Sequence, residues 1–129
     1  MNRKRLSKSE RKKIYESLNG HCAYCGCKLK IGAMHVDHKE PLANGGSDTL
    51  CNMLPACRSC NHRKGSSSVE SFRGQVEKFV AVLERDSVTY KNAVRFGLVI
   101  PNPHKVKFYF EKTKKQRKAY NSFKSAKKQ

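Results

Sequence analysis

Two Cys-x-x-Cys pairs, Cys22/Cys25 and Cys57/Cys60, constrain this chain more than anything else in it. Four thiolates offer a tetrahedral site for Zn²⁺ at about 2.3 Å per bond, closed to water and therefore structural. The pairs are 31 residues apart, longer than the roughly 15–20 of a zinc ribbon. The excess has the length of an inserted hairpin, so a zinc ion would pin the hairpin's two ends together. Inside that frame stand Asp37-His38 and Asn52, with Asn61 directly after its last cysteine: a carboxylate, an imidazole and two carboxamides. A hard divalent ion takes the oxygen donors, and an imidazole near its ordinary pKa accepts a proton from water. Cys27 and Cys51 are left over and read as small buried hydrophobes, with Cys27 an alternative to Cys25 on the same turn.

At 129 residues the chain supports one small core, and a 37% hydrophobic content without Trp makes that core thin enough to need a staple. The net charge of +18 points to a polyanionic partner. It is concentrated at the ends. Residues 1–13 carry seven Lys/Arg against one Glu, and residues 105–129 carry ten against one, so basic arms flank a nearly neutral body. No apolar run approaches the roughly 18 residues of a membrane span, and no signal-peptide apolar region follows the basic start. The expected setting is cytoplasmic and reducing, with no membrane partner, where spaced cysteines bind metal more often than they form disulfides.

The local patterns predict a helix over 7–18, capped by Ser7 with Glu10 as its capping-box partner and stopped near Gly20. Residues 22–27 form a tight turn. A strand from Met34 to His38, a loop punctuated by Pro41 and Gly45-Gly46, a strand at Asn52–Leu54 and a helix over 57–64 ended by Gly65 make a ββα unit. Beyond a Ser66-Ser67-Ser68 hinge, apolar residues from Val69 to Leu83 recur at helical spacing, predicting one helix to Arg85 that packs on the ββα unit, with Ser67 and Glu70 as a second capping box. A shorter helix follows over 87–96. Val106, Phe108 and Phe110 alternate as a strand face, and little fixed structure is expected from Lys112 onward. The organisation is thus a basic arm and helix (1–19), a core (20–66), a helical and strand extension (67–111) and a basic tail (112–129). The fold class is α+β.

On the helix over 57–64, Asn61 follows Cys60 by one position and projects about 100° away from it, so the soft and hard sites occupy adjacent sides. Lys64 is three residues after Asn61 and is expected to share its face and hold a phosphate. His35 is a strand neighbour on the face of Asp37, with a metal or phosphate contact left open.

The order Cys22-Ala-Tyr-Cys25-Gly, Val36-Asp37-His38-Lys-Glu-Pro41-Leu-Ala-Asn-Gly45-Gly46, Asn52-Met-Leu54, Cys57-Arg-Ser-Cys60-Asn61-His62-Arg63-Lys64-Gly65 resembles the HNH nucleases, in their variant with a four-cysteine zinc frame. The resemblance covers about residues 20–65. The whole chain also looks like small stand-alone, phage- or prophage-borne members. It implies a ββα-metal (His-Me finger) core and a metal-dependent endonuclease acting on double-stranded DNA. Asp37 matches the metal-binding carboxylate, His38 the general base, Asn52 the residue that holds the loop, and Asn61 a second ligand to catalytic Mg²⁺ or Mn²⁺. His62, Arg63 and Lys64 are the nucleic-acid-binding candidates. His62 competes with Asn61 for the third motif position, and Asn61 is favoured because it directly follows the cysteine pair. A second copy, or a phage protein, is an open partner. Two other readings fit the charge and cysteines: a non-catalytic zinc-stapled nucleic-acid-binding module, and a nuclease subunit of a packaging or restriction assembly.

Overall fold

The computed structural model describes residues 5–113. The outer parts of both basic arms lie outside that range. The chain separates into two units: residues up to Val69 together with those from Lys107 onward, and Glu70–Val106.

In the first unit, α1 (Lys8–Glu16) begins at Ser7 with the expected capping box: Glu10 N–H donates to Ser7 Oγ, and Ser7 N–H donates to Glu10 Oε1. The chain reverses at Asn19 and Gly20, both left-handed. Ile14 and Leu18 enter the core, while Tyr15 Oη donates to the Leu29 carbonyl and Arg11 Nη2 to the carbonyls of Ile31 and Met34. These bonds fasten the first helix across the start of β1 (His35–His38). β1 pairs antiparallel with β2 (Met53–Ala56), in the register His35 opposite Ala56 and His38 opposite Met53. The helix α2 (Arg58–Lys64) follows, with Cys57 as N-cap and Gly65 ending it. The ββα unit is therefore present as expected, its second strand displaced by one or two residues because Leu50–Asn52 is wound into a 3₁₀ turn.

The cysteine turn is held from both sides. Ala23 N–H donates to the Pro55 carbonyl of β2, and the Ala23 and Tyr24 carbonyls accept from Phe110 and Tyr109. This corrects the expected strand at Val106–Phe110. The segment instead turns into the short helix α6 (Tyr109–Lys112), and Phe108 and Phe110 both bury against Tyr24, with ring centroids 5.1 and 6.1 Å away. Alternation in the sequence recorded two aromatics flanking a helix start, not one face of a strand. Residues 107–113 thus belong with the core and not with the extension.

In the second unit, the single helix expected over 69–85 is two, α3 (Val69–Glu77) and α4 (Phe79–Asp86), broken at Lys78, whose N–H bonds back only three residues to Gln75. No Gly or Pro lies within three residues of Lys78 to signal the break. α5 (Val88–Arg95) follows, capped by Ser87 and ended before the left-handed Gly97. Arg73 closes the unit: it pairs with Glu70 and donates to the Val106 carbonyl, while Glu77 accepts from the Val106 N–H. Val88, Phe96, Leu98 and Ile100 remain exposed. Among the described residues no helix is long and apolar enough to cross a membrane.

Candidate active site and metal centre

The thiols converge. The Sγ atoms of Cys22, Cys25, Cys27 and Cys57 all lie within 4.8 Å of one another, and Cys25 and Cys57 are 3.9 Å apart. Tetrahedral thiolates 2.3 Å from one ion would be roughly 3.8 Å apart, so the cluster fits zinc. The sequence placed Cys60 in this set and Cys27 outside it. The structure brings Cys27 in, exposed and not buried as expected, while the Cys60 thiol hydrogen-bonds Cys22. Four sulfurs meet, with Cys60 adjoining them, because Gly26, left-handed, folds the knuckle so that Cys27 returns beside Cys25. The Cys60 hydrogen bond, with backbone N–H groups, pulls the Cys22 thiol down, and the same contact pushes Cys60 up. Such polarity favours a thiolate at Cys22, which is what a soft metal requires. Cys51 is also exposed, with Thr49 Oγ1 3.1 Å from its sulfur, contrary to its expected burial.

Asp37 and His38 are neighbours with different surroundings. Asp37 is 3% exposed. Tyr24 Oη donates to its Oδ2, and the Lys64 ammonium lies 3.3 Å from Oδ1 and 3.1 Å from Oδ2. Burial pushes the Asp37 carboxyl up, against the lowering pull of Lys64 and Tyr24. Burial first, then the Asp37 charge, also holds the Tyr24 phenol up. Lys64 reaches further, donating to the His38 carbonyl at 2.9 Å. Its burial overturns the expectation that it holds a phosphate: α2 lies along β1 so that Lys64 meets Asp37 inside the protein. His62 and Arg63, the other nucleic-acid candidates, are exposed on the same helix.

His38 faces an open cleft of about 350 Å³, lined among others by Arg5, Arg11, His35, Asp48 and Asn61. Its Nε2 is 2.9 Å from Asp48 Oδ1. Asn61 reaches His35 instead of Asp37, Nδ2 to Nδ1 at 3.4 Å. The donors chemically suited to a hard ion are present, but Asp37 sits behind the cleft with Tyr24 and Lys64 while Asn61 opens onto it. A carboxylate offers about four acceptor positions, so Asp37 retains capacity beyond these two partners.

Asn52 is buried and bonds across the loop that follows β1. Its Oδ1 accepts from the Glu40 N–H, and its Nδ2 donates to the Glu40 and Ser47 carbonyls. The loop it closes turns at Gly45 and Gly46. A Cβ on Gly46 would stand 1.9 Å from the Glu40 carbonyl oxygen, so no side chain fits there. Asp48, Arg5 and Arg11 are cleft residues that the sequence patterns do not single out. The one signal for Asp48 is its place just after the Gly-Gly turn. Nothing local marks the arginines, which reach the cleft only through the placement of the first helix.

Residues 22–67 match the HNH endonuclease family. That stretch, about a third of the chain, is similar to HNH endonucleases. The chain is 28% identical over 74 residues to the SPbeta prophage-derived YoqL of Bacillus subtilis, assigned by name to the same family; the match covers 51% of this chain and 32% of that protein. It is 36% identical over 67 residues to an uncharacterized protein of Acanthamoeba polyphaga mimivirus, covering 52% of this chain and 12% of the other. The chain therefore spans a third or less of these relatives. Among solved structures, the Type II-C Cas9 enzyme from Actinomyces naeslundii superposes with a TM-score of 0.50 at 22% identity, over 58% of this chain and 9% of that one, which establishes likeness of fold.

Proposed function

We propose that this chain is a metal-dependent endonuclease that hydrolyses DNA phosphodiester bonds. The observation that carries the reading is the cleft in which His38 stands beside Asn61 and His35, with the cationic Arg5 and Arg11 on its lining. His38 takes a proton from the attacking water. Asp37 and Asn61 are the residues that would hold one Mg²⁺ or Mn²⁺, which when bound stabilises charge developing on the phosphate and the leaving oxygen. Lys64 supplies the positive charge that the buried Asp37 carboxylate needs and holds the backbone of His38 in place. Asn52 holds the loop opposite His38. Arg5, Arg11, His62 and Arg63 attract the phosphate backbone, so binding weakens steeply with salt. One such centre cuts one strand, leaving 5′-phosphate and 3′-hydroxyl ends.

Supercoiled plasmid incubated with Mg²⁺, Mn²⁺ or EDTA tests this. Nicking that needs the metal and vanishes in a folded His38→Ala variant supports the reading. Plasmid binding without nicking under any metal would leave a zinc-stapled nucleic-acid-binding module.

A further inference from the structure

We propose that Asp48 is the positioning residue of the base, fixing the ring of His38 through Nε2. The inference rests on the nuclease reading, in which His38 is the base.

The geometry starts with the ring. A carboxylate only accepts, so the 2.9 Å contact between His38 Nε2 and Asp48 Oδ1 requires the proton on Nε2. In the neutral imidazole that makes Nδ1 the basic nitrogen, and it limits rotation about the ring's outer bond. The backbone of His38 is pinned independently, by pairing with Met53 across the strands and by the Lys64 ammonium on its carbonyl. Backbone pinning does not by itself set the plane of the imidazole. Asp48 holds it at Nε2.

The loop is built to hold this carboxylate in one place. Asn52 clamps both flanks of Asp48: its Nδ2 donates to the Ser47 carbonyl at 2.8 Å, and its N–H donates to the Thr49 carbonyl at 3.0 Å. Ser47 Oγ and Thr49 Oγ1 close over the same turn at 2.8 Å. The chain enters it through Gly46, packed where no side chain fits. Asn52 thereby acts on His38 at one remove, through Asp48. With a side chain 26% exposed, Asp48 keeps contact with the cleft, while the His38 side chain is only 5% exposed.

Three measurements on the full chain decide the matter. Asp48→Ala should lower kcat for plasmid nicking about 100-fold with KM within about threefold, since orienting a base supplies part of the 10²–10⁴ that general-base catalysis contributes. Asp48→Asn, which keeps an acceptor oxygen at the same place, should recover part of that loss and also serves if the alanine variant fails to fold. The Mg²⁺ concentration giving half-maximal rate should not move in either variant, and Asp48→Ala should add no further loss on His38→Ala. Independently of activity, ring ¹⁵N shifts of His38 should report the Nε2–H tautomer in the wild type and a mixture in Asp48→Ala.

Wild-type nicking rates in Asp48→Ala, or an unchanged tautomer, would overturn the proposal. Rates restored by raising Mg²⁺ would make Asp48 a metal ligand and overturn it equally. If the wild type does not nick, the nuclease reading fails, while the ¹⁵N shifts still show whether Asp48 holds the ring.

Discussion

The thiolate cluster and the cleft share the helix α2 but are built on opposite terms. The cluster takes sulfurs from two segments 31 residues apart and sets them beside the buried Ala23 and Tyr24, with main-chain bonds from the knuckle to β2 and to α6. The cleft takes side chains from the ends of β1, from α2 and from one loop, and holds them through one another. On the proposed reading, metal removed from the first would take away a crosslink, whereas His38 removed from the second would take away chemistry and leave the fold. Tyr24 joins the two, since it stands inside the Cys22–Cys25 knuckle and its hydroxyl meets Asp37.

The largest expected effect comes from breaking the soft side. Stripping the metal with a chelator, or Cys22→Ser, should unfold the core, as structural zinc is worth about 10 kcal/mol or more in small domains. Circular dichroism with elemental analysis checks this, and a stably folded, zinc-free protein would refute it. The next largest is confined to the hard side: His38→Ala should lose roughly 10²–10⁴ in nicking rate while melting near the wild-type temperature.

Lys64→Met cuts between the two. It strands the buried Asp37 carboxylate and should cost about 3–5 kcal/mol, read from denaturant melts. Its pH dependence has a definite sign. Asp37 already titrates above its ordinary value, and losing Lys64 raises it further. A folded-state pKa above the unfolded one gives stability that is present at low pH and lost as pH rises through the folded value. The deficit of Lys64→Met should therefore shrink as the pH falls into the carboxylate range.

Asn52→Ala removes two donated bonds and one accepted bond and leaves buried partners unmet, costing about 1–3 kcal/mol and loosening the Asp48 loop. The smallest effect separates the fifth sulfur from the other four. If Cys27 is a ligand, Cys27→Ser should lower zinc affinity more than Cys60→Ser, as measured by chelator competition, and the reverse order would restore the ligand set expected from the paired spacing.

Much of the fold and of the candidate site is legible in the amino-acid order. Cysteine spacing implies the staple, and the order Asp-His, Asn, Asn within and just after it implies the ββα unit and its candidate residues. The Ser7 capping box and Gly65 stop are readable because caps are local, their partners lying three or four residues away. The break at Lys78 and the α6 turn are not readable. Apolar spacing there continues a helix in one case and imitates a strand in the other, and packing, not propensity, chose the outcome.

The sequence by itself determined which chemical groups this chain owns and which of them lie close along the chain: four paired thiols, Asp37 beside His38, and Asn61 beside Cys60. Only the tertiary structure decided which groups meet. It sent Lys64 inward to Asp37, brought Cys27 to the cluster, put Asn61 against His35 and delivered Asp48 to His38. The physical reason is that a side chain's partner depends on the relative placement of strand, helix and loop, and that placement is fixed by burial and hydrogen bonding summed over the whole core.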